Sequence, residues 1–307
     1  MVIWLKTQDD EAVQLTDIWK RCFYVAGDYG DLIKLANQLC IEGMSYEEKF
    51  VKPNDNEPSS VLRIPVRSSR EAEKIAEHVL IRGRYALYEL YNVDVESSQL
   101  YMYEKGIYPF AHVNATVNPH GISWELCDSL DLVDYSIPPL REISLSVNIR
   151  KKGILPTKAD PVESIKIGSK EDRYYSGVDN EPQNLLWLVE ALNNIDPDII
   201  YTTNGDSFLF PYLAHRAALN GITREFILGR DSSHLKVAAE RGQTYTSYGR
   251  ICYRFTRTRI FGRLHVDCES SIVYRDCGLL GLIEIARLCR IPVQRVSSTT
   301  IGTIVTN

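Results

Sequence analysis

Five arginines, Arg250, Arg254, Arg257, Arg259 and Arg263, lie within the stretch Tyr248 to Arg263, interleaved with Tyr253, Phe255 and Phe261 and with no acidic side chain among them. Cations at this density attract phosphates and aromatic faces between them can stack on bases, so the strip is a candidate nucleic-acid contact. The plainer reading is that alternate arginines line the solvated face of a hairpin. A second cluster is the turn Asn204-Gly205-Asp206-Ser207-Phe208. Asn204 and Phe208 are candidate DNA contacts there, while Asp206 or Ser207 is equally suited to capping a helix. His265 and Asp267, spaced i, i+2, share one face of a strand; two ligand types without a third point to a packed, hydrogen-bonded pair rather than a metal site.

These groups need elements to hold them. The first half reads as short strands at 2–6, 11–19, 20–26, 46–52, 61–67, 86–91, 110–117 and 122–127, from alternation and polar turns. Three helices interrupt them. Leu32, Ile33, Leu35, Ala36 and Leu39 predict a helix closed by Gly43, Ser68-Ser69-Arg70-Glu71 is a capping box opening a helix through Leu80, and a third helix near 97–104 ends at Gly106. After the Pro138-Pro139 connector, Ile143, Leu145, Val147 and Ile149 alternate onto one face of a strand. Strands at 162–168 and 172–176 follow. Next comes a helix from Glu181 with Leu185, Leu186, Leu188, Val189 and Leu192 toward a sheet. The strand 198–203 then runs through the Asn204 turn into a helix ending at Gly221. A polar turn at the carboxyl end of such a strand is where α/β sheets place ligands. A hairpin over 248–263, a strand 263–267 and a helix 279–289 complete the expected order.

The bulk composition fits two folded domains. The chain has 307 residues, 44% apolar and 24% charged, with a formal net charge of −5, which argues against a uniformly basic nucleic-acid coat. Its seven cysteines form no C-x-x-C pair and no zinc-type spacing, so they read as reduced thiols of a cytoplasmic protein. No apolar run approaches the roughly 18 residues of a membrane span.

The block Asp196-Pro197-Asp198-Ile199-Ile200-Tyr201-Thr202-Thr203-Asn204-Gly205-Asp206-Ser207-Phe208-Leu209-Phe210-Pro211-Tyr212-Leu213 resembles the 3′–5′ exonuclease domain of family B DNA polymerases. Leu228-Gly229-Arg230-Asp231, Gly262-Arg263-Leu264-His265-Val266-Asp267 and Ile291-Pro292-Val293-Gln294-Arg295 extend the resemblance over residues 100–307. It implies an α/β (α+β) protein: a polymerase N-terminal-type mixed domain over 1–135, and a ribonuclease-H-like exonuclease-type domain over 136–307 that stops before the palm. Exonucleases of this family hold two divalent cations on carboxylates. Where their first motif reads Asp-x-Glu this chain has Ser146-Val147-Asn148, and where the second ends in Phe-Asp it has Phe208-Leu209. Asp276, in Tyr274-Arg275-Asp276, is either a relic of the third motif or a helix N-cap.

The resemblance therefore implies a DNA-binding, scaffolding part of a DNA-directed DNA polymerase (a nucleotidyltransferase of replication or repair), of a microbial subgroup with degraded proofreading motifs. No catalytic residue, metal or cofactor is expected in this chain. Magnesium belongs to the polymerase domain, whose palm, fingers and thumb would lie on a downstream segment or a partner chain. The partner ligand is template or primer DNA, contacted through Arg250, Arg254, Arg257, Arg259, Arg263, Tyr253, Phe255, Asn204 and Phe208. The final stretch Thr299 to Asn307, apolar and uncapped, reads as the edge of a fragment or a split gene. Two other readings remain open: an active exonuclease using Asp206, Asp267 and Asp276 as substitute carboxylates, and a protein-interaction module that binds no DNA.

Overall fold

Pro138 and Pro139 fix φ and remove two backbone donors, and the chain divides directly after them into two units, Met1–Pro139 and Leu140–Asn307. The computed structural model describes residues 1–129, 131, 136–169, 172–237, 243–247, 250–254 and 257–268, with backbone alone at 236–237, 243–247 and 250–254. The expected helix 279–289, Phe255 and Asp276 lie outside the described residues.

The first unit runs β1 (Val2–Lys6), β2 (Ala12–Thr16), β3 (Arg21–Ala26), α1 (Tyr29–Leu39), β4 (Ser45–Lys49), β5 (Ser59–Val66), α2 (Ser69–Arg82), β6 (Glu89–Tyr91), α3 (Ser97–Lys105), β7 (Val113–Asn118) and β8 (Gly121–Leu126). β1–β2 and β7–β8 are hairpins, and an antiparallel sheet has the order β4-β5-β3-β6. Opposed apolar pairs set its register: Phe23 faces Ile64 and Val25 faces Leu62, all fully buried. Leu32 and Leu35 of α1 and Ala72 and Val79 of α2 close the core over them.

Local chemistry explains the helix ends. The Ser68 hydroxyl accepts from the Glu71 amide, but the Glu71 carboxylate accepts from Arg67 rather than Ser68, so the expected box is completed one residue early. α3 ends at Gly106 with φ 65°, as its sequence implies. α1 does not run on to Gly43. Cys40 takes the left-handed conformation at φ 48° and its amide caps the Ala36 carbonyl, ending the helix three residues sooner.

A buried carboxylate organises the outer part of this unit. Asp17 accepts from the Ile122 amide at 2.8 Å and the Tyr101 hydroxyl at 2.7 Å, with the Lys105 ammonium 3.3 Å away. Burial pushes this carboxyl up, yet those bonds outweigh it and hold Asp17 below the usual range. The Trp124 indole in turn donates to Tyr101, joining β8 to α3.

The second unit contains β9 (Glu142–Ile149), β10 (Val162–Gly168), β11 (Arg173–Ser176), α4 (Glu181–Ile195), β12 (Ile199–Thr202), a π-helical turn Gly205–Leu209, α5 (Phe210–Leu219), β13 (Lys236–Val237), β14 (Gln243–Ser247), β15 (Arg250–Arg254), β16 (Thr258–Arg259) and β17 (Leu264–Asp267). Its main sheet has the order β11-β10-β9-β12-β17. Only β10 runs against the other four. Ile143 and Leu145 of β9 share one core with Leu185, Leu188 and Leu192 of α4 and with Phe210 and Leu213 of α5. Leu186, expected on the sheet side, is exposed at the surface. Asn184 takes the inner position instead, accepting from Ser176 and the Val178 amide and donating to the Val178 carbonyl.

The single hairpin expected over 248–263 is not what forms. β14 pairs with β15, whereas β16 pairs with β13, so the arginine-rich stretch is split between two small sheets.

One ion pair ties α4, α5 and β10 together. The Glu181 carboxylate accepts from both the Nε and a terminal nitrogen of Arg216, from Asn220, and from the Val162 amide. Burial raises its pKa, but the Arg216 hydrogen bonds and the others outweigh this and lower it. A carboxyl with a lowered folded pKa stabilises fully above its unfolded value, here 4.5, and loses that contribution as pH falls through the folded value. Glu181→Gln should therefore cost about 3 kcal/mol in urea unfolding at pH 7. The difference from the parent should shrink by pH 3.

Candidate nucleic-acid interface

β12 separates two polar clusters. At its amino end stand Asp196 and Asp198, the first residues of the block that carried the sequence resemblance. Arg230 donates through Nε to Asp196 at 2.7 Å and through a terminal nitrogen to Asp198 at 2.7 Å, while its other terminal nitrogen reaches the Gly262 carbonyl at 2.7 Å. Burial alone would lower its pKa; the hydrogen bonds to the two aspartates more than restore it. Arg263 donates to the carbonyls of Leu228 and Leu192, both at 2.9 Å, and to Asp196 at 3.1 Å. Burial brings this guanidinium down to about 10, still fully charged at neutral pH. The Asp198 carboxylate also accepts from the Arg141 amide at the start of β9.

This corrects one expected DNA contact. Arg263 is 7% exposed and both its terminal nitrogens donate to protein oxygens, so it braces the fold and does not belong to a phosphate-binding strip. Its neighbours differ. The sequence Arg257-Thr258-Arg259-Ile260 alternates exposed, buried, exposed, buried, which puts Arg257 and Arg259 outward. Arg250, Tyr253 and Arg254 fall on the backbone of β15.

The carboxyl end of β12 holds the second cluster. Thr202 Oγ1 lies 2.7 Å from His265 Nε2, and His265 Nδ1 lies 3.3 Å from Asp206 Oδ1. The same Asp206 oxygen accepts from the Thr258 amide at 2.6 Å, and the Asp206 amide donates to the Asp267 carboxylate at 3.0 Å. His265 and Asp267 are thus packed and hydrogen-bonded as expected, but each to the Thr202–Asp206 segment. The role of Asp206, Thr202 and Thr258 as one latch was not legible, because their partners are about fifty or more residues away. Gly205 makes the close approach feasible: a Cβ there would sit 2.0 Å from Thr202 Oγ1 and 2.5 Å from His265 Nε2.

Asn204 is exposed in the left-handed conformation at φ 55°, and its side-chain oxygen accepts from Ser207. Phe208 stacks on Tyr212 with centroids 5.4 Å apart and planes 13° from parallel, so one ring face is already covered.

The sequence resemblance sets Ser146, Asn148 and Leu209 against the family's metal-binding carboxylates, and none of the three carries a charge. Ser146 and Asn148 lie on exposed positions of β9, Asn148 donating to Ser164 at 2.9 Å, and Leu209 belongs to the buried apolar core. Among the described residues no group of three or more His, Cys, Asp or Glu could hold a metal ion. These residues do not fit a two-cation site, since neutral oxygens and a buried leucine supply little charge to offset dehydration of a divalent ion.

Arg263→Ala should lower stability by about 3 kcal/mol, because it removes one partner of a buried charge network. Arg257→Ala and Arg259→Ala should each stay within about 0.5 kcal/mol of the parent; chemical denaturation separates the two classes. Gly205→Ala, forced against Thr202 and His265, should cost roughly 2 kcal/mol by the same measurement.

Residues 176–275 match the model for the DNA polymerase family B exonuclease domain. The chain is 24% identical, over 77% of its length, to a DNA polymerase of Methanocaldococcus jannaschii, of which it covers 13%. It is 25% identical, over 96% of its length, to DNA polymerase 3 of Saccharolobus solfataricus, of which it covers 38%. The chain thus spans well under half of these relatives. Its fold matches the family B DNA polymerase of Pyrobaculum calidifontis with a TM-score of 0.63 at 20% identity, covering 87% of this chain and 34% of that one. The second unit accordingly has the ribonuclease-H-like exonuclease architecture expected from the sequence. Among the described residues no helix is long and apolar enough to cross a membrane. On sequence and fold together, the chain is similar to family B DNA polymerases, and residues 176–275 match their exonuclease domain.

Proposed function

We propose that this chain is a DNA-binding, non-cleaving portion of a family B DNA polymerase, from the microbial members with degenerate proofreading residues, and that it scaffolds a palm, fingers and thumb carried on another segment or partner chain. Replication or repair synthesis would be the activity of the whole, with magnesium held by its polymerase domain. The observation that carries the non-cleaving part is the chemistry of Ser146, Asn148 and Leu209 at the positions that correspond to the family's metal carboxylates. Rate acceleration by two cations needs ligands that offset the cost of removing water from them, and none of these three is charged. The rival with substitute carboxylates is disfavoured by Asp206, whose Oδ1 is engaged by the Thr258 amide and the His265 ring.

The DNA-binding part is supported by Arg257 and Arg259, exposed on either side of buried Thr258. The Asp206 bond to the Thr258 amide fixes the backbone between them, so both guanidinium groups extend from an anchored point. Such contacts are sequence-independent and salt-sensitive.

Incubation with labelled single-stranded DNA and magnesium or manganese should give no cleavage; metal-dependent nucleolysis abolished by Asp206→Ala would overturn the reading. Binding to the same DNA should weaken as salt rises. Arg257→Ala with Arg259→Ala should reduce the slope of log K against log salt by about 0.7 for each phosphate that is no longer neutralised.

A further inference from the structure

The loop from Arg150 to Pro161 leaves the sheet at the carboxyl end of β9. Because β9 and β12 are parallel, it emerges at the same edge as the Asn204–Leu209 turn. Its tip is apolar and almost wholly in water: Ile154 is 92% and Leu155 75% exposed. Lys151, Lys152 and Lys158 surround that tip and are exposed too. The one acidic residue of the loop, Asp160, is buried and turned inward. Arg150 is paired with Asp179 at 2.9 Å and does not belong to this basic rim.

The loop is braced. The Asp160 carboxylate accepts from the Thr157 amide at 2.9 Å and hydroxyl at 2.8 Å and from the Lys152 amide at 3.3 Å, and the Thr157 bonds lower its pKa from the usual carboxylate value. The Asp160 carbonyl accepts from the Tyr212 hydroxyl, and the carbonyls of Lys158 and Ala159 accept from Arg216. Tyr212 and Arg216 stand on α5, the helix that begins where the Asn204–Leu209 turn ends. Arg216 is itself clamped by Glu181. Loop and turn are therefore held on one helix. Two aliphatic side chains kept in water on a rigid base forgo the stabilisation of burial, roughly 25 cal/mol for each Å² left exposed.

We propose that this loop is a second nucleic-acid contact, in which Ile154 and Leu155 pack against an unstacked base of single-stranded DNA while Lys151, Lys152 and Lys158 take the flanking phosphates. The proposal rests on the DNA-binding reading above and adds a site to it. Apolar residues that pack on bases beside cations that hold the backbone are a recurring way of gripping nucleic acid. The loop itself turns no acidic side chain outward toward a phosphate chain.

Binding of the full chain to a fluorescein-labelled oligothymidylate, measured across a salt series, separates the two parts of the contact. Apolar packing is insensitive to salt and phosphate contacts set the slope. Ile154→Ser with Leu155→Ser should lower affinity about tenfold at every salt concentration, with the slope unchanged. Lys151→Gln with Lys152→Gln should instead reduce the slope by about 0.7 for each lysine. All four positions are at the surface, so thermal unfolding of these variants should match the parent. Parent-like binding by both variants, while Arg257→Ala with Arg259→Ala still lowers the slope, would overturn the proposal, leave the DNA-binding reading standing and assign the tip to a protein partner. No binding of the oligonucleotide by the parent chain would overturn both.

Discussion

The second unit depends on two buried arginines meeting two aspartates at one end of β12. Arg230 and Arg263 come from separate loops, Asp196 and Asp198 from the α4–β12 turn, and the Arg141 amide joins from just before β9. Removing charges from water is costly, and such a cluster is tolerated only when every charge finds an opposite partner and the spare donors find carbonyls. Those requirements are largely met here, with Leu192, Leu228 and Gly262 supplying the carbonyls. The consequence is geometric. With α4, β12, β17 and the 228–230 loop pinned together at the amino end, the carboxyl end of β12 can present a turn that is held by only a few hydrogen bonds.

That division sets the motifs read from the sequence apart from the candidate interface, although the family match over residues 176–275 includes both. The stretches that carry the likeness, 196–213, 228–231 and 262–267, converge on the arginine–aspartate cluster and on the Thr202–Asp206–His265 latch. Both are structural. The outward arginines at 257 and 259 lie between those stretches, beside and on a two-residue strand held by its pairing with β13 and by the bond from its Thr258 amide to Asp206. The sequence motifs thus build a frame, and what the chain offers to a ligand is mounted on that frame.

Much of the frame was legible in the sequence. Apolar periodicity and end signals located α2 and α3 closely, since Ser68, Glu71 and Gly106 act through neighbours a few residues away. Strand alternation gave β9 and β10 for the same reason. The misreadings share one cause, a partner distant in sequence. Arg263 and Arg259 look alike as residues, yet one meets Leu192, Leu228 and Asp196 and the other meets solvent. The pairing of β16 with β13 instead of β15 has no local signature either. Ending α1 at Cys40 rather than Gly43 defied the expectation that a left-handed cap is a glycine, a preference that tertiary packing can override.

The π-helical turn after β12 has a consequence of its own. The Asn204 carbonyl accepts from the amides of both Phe208 and Leu209, at 3.0 and 2.9 Å, so the α and π windings coexist at one oxygen. A π turn holds one residue more than an α turn over the same rise. The segment between β12 and α5 is therefore a length buffer: losing one residue would tighten it to an ordinary α turn with α5 undisturbed. A one-residue deletion at this end of the sheet can be absorbed within a single turn, leaving the helix that carries Tyr212 and Arg216 in register with the core.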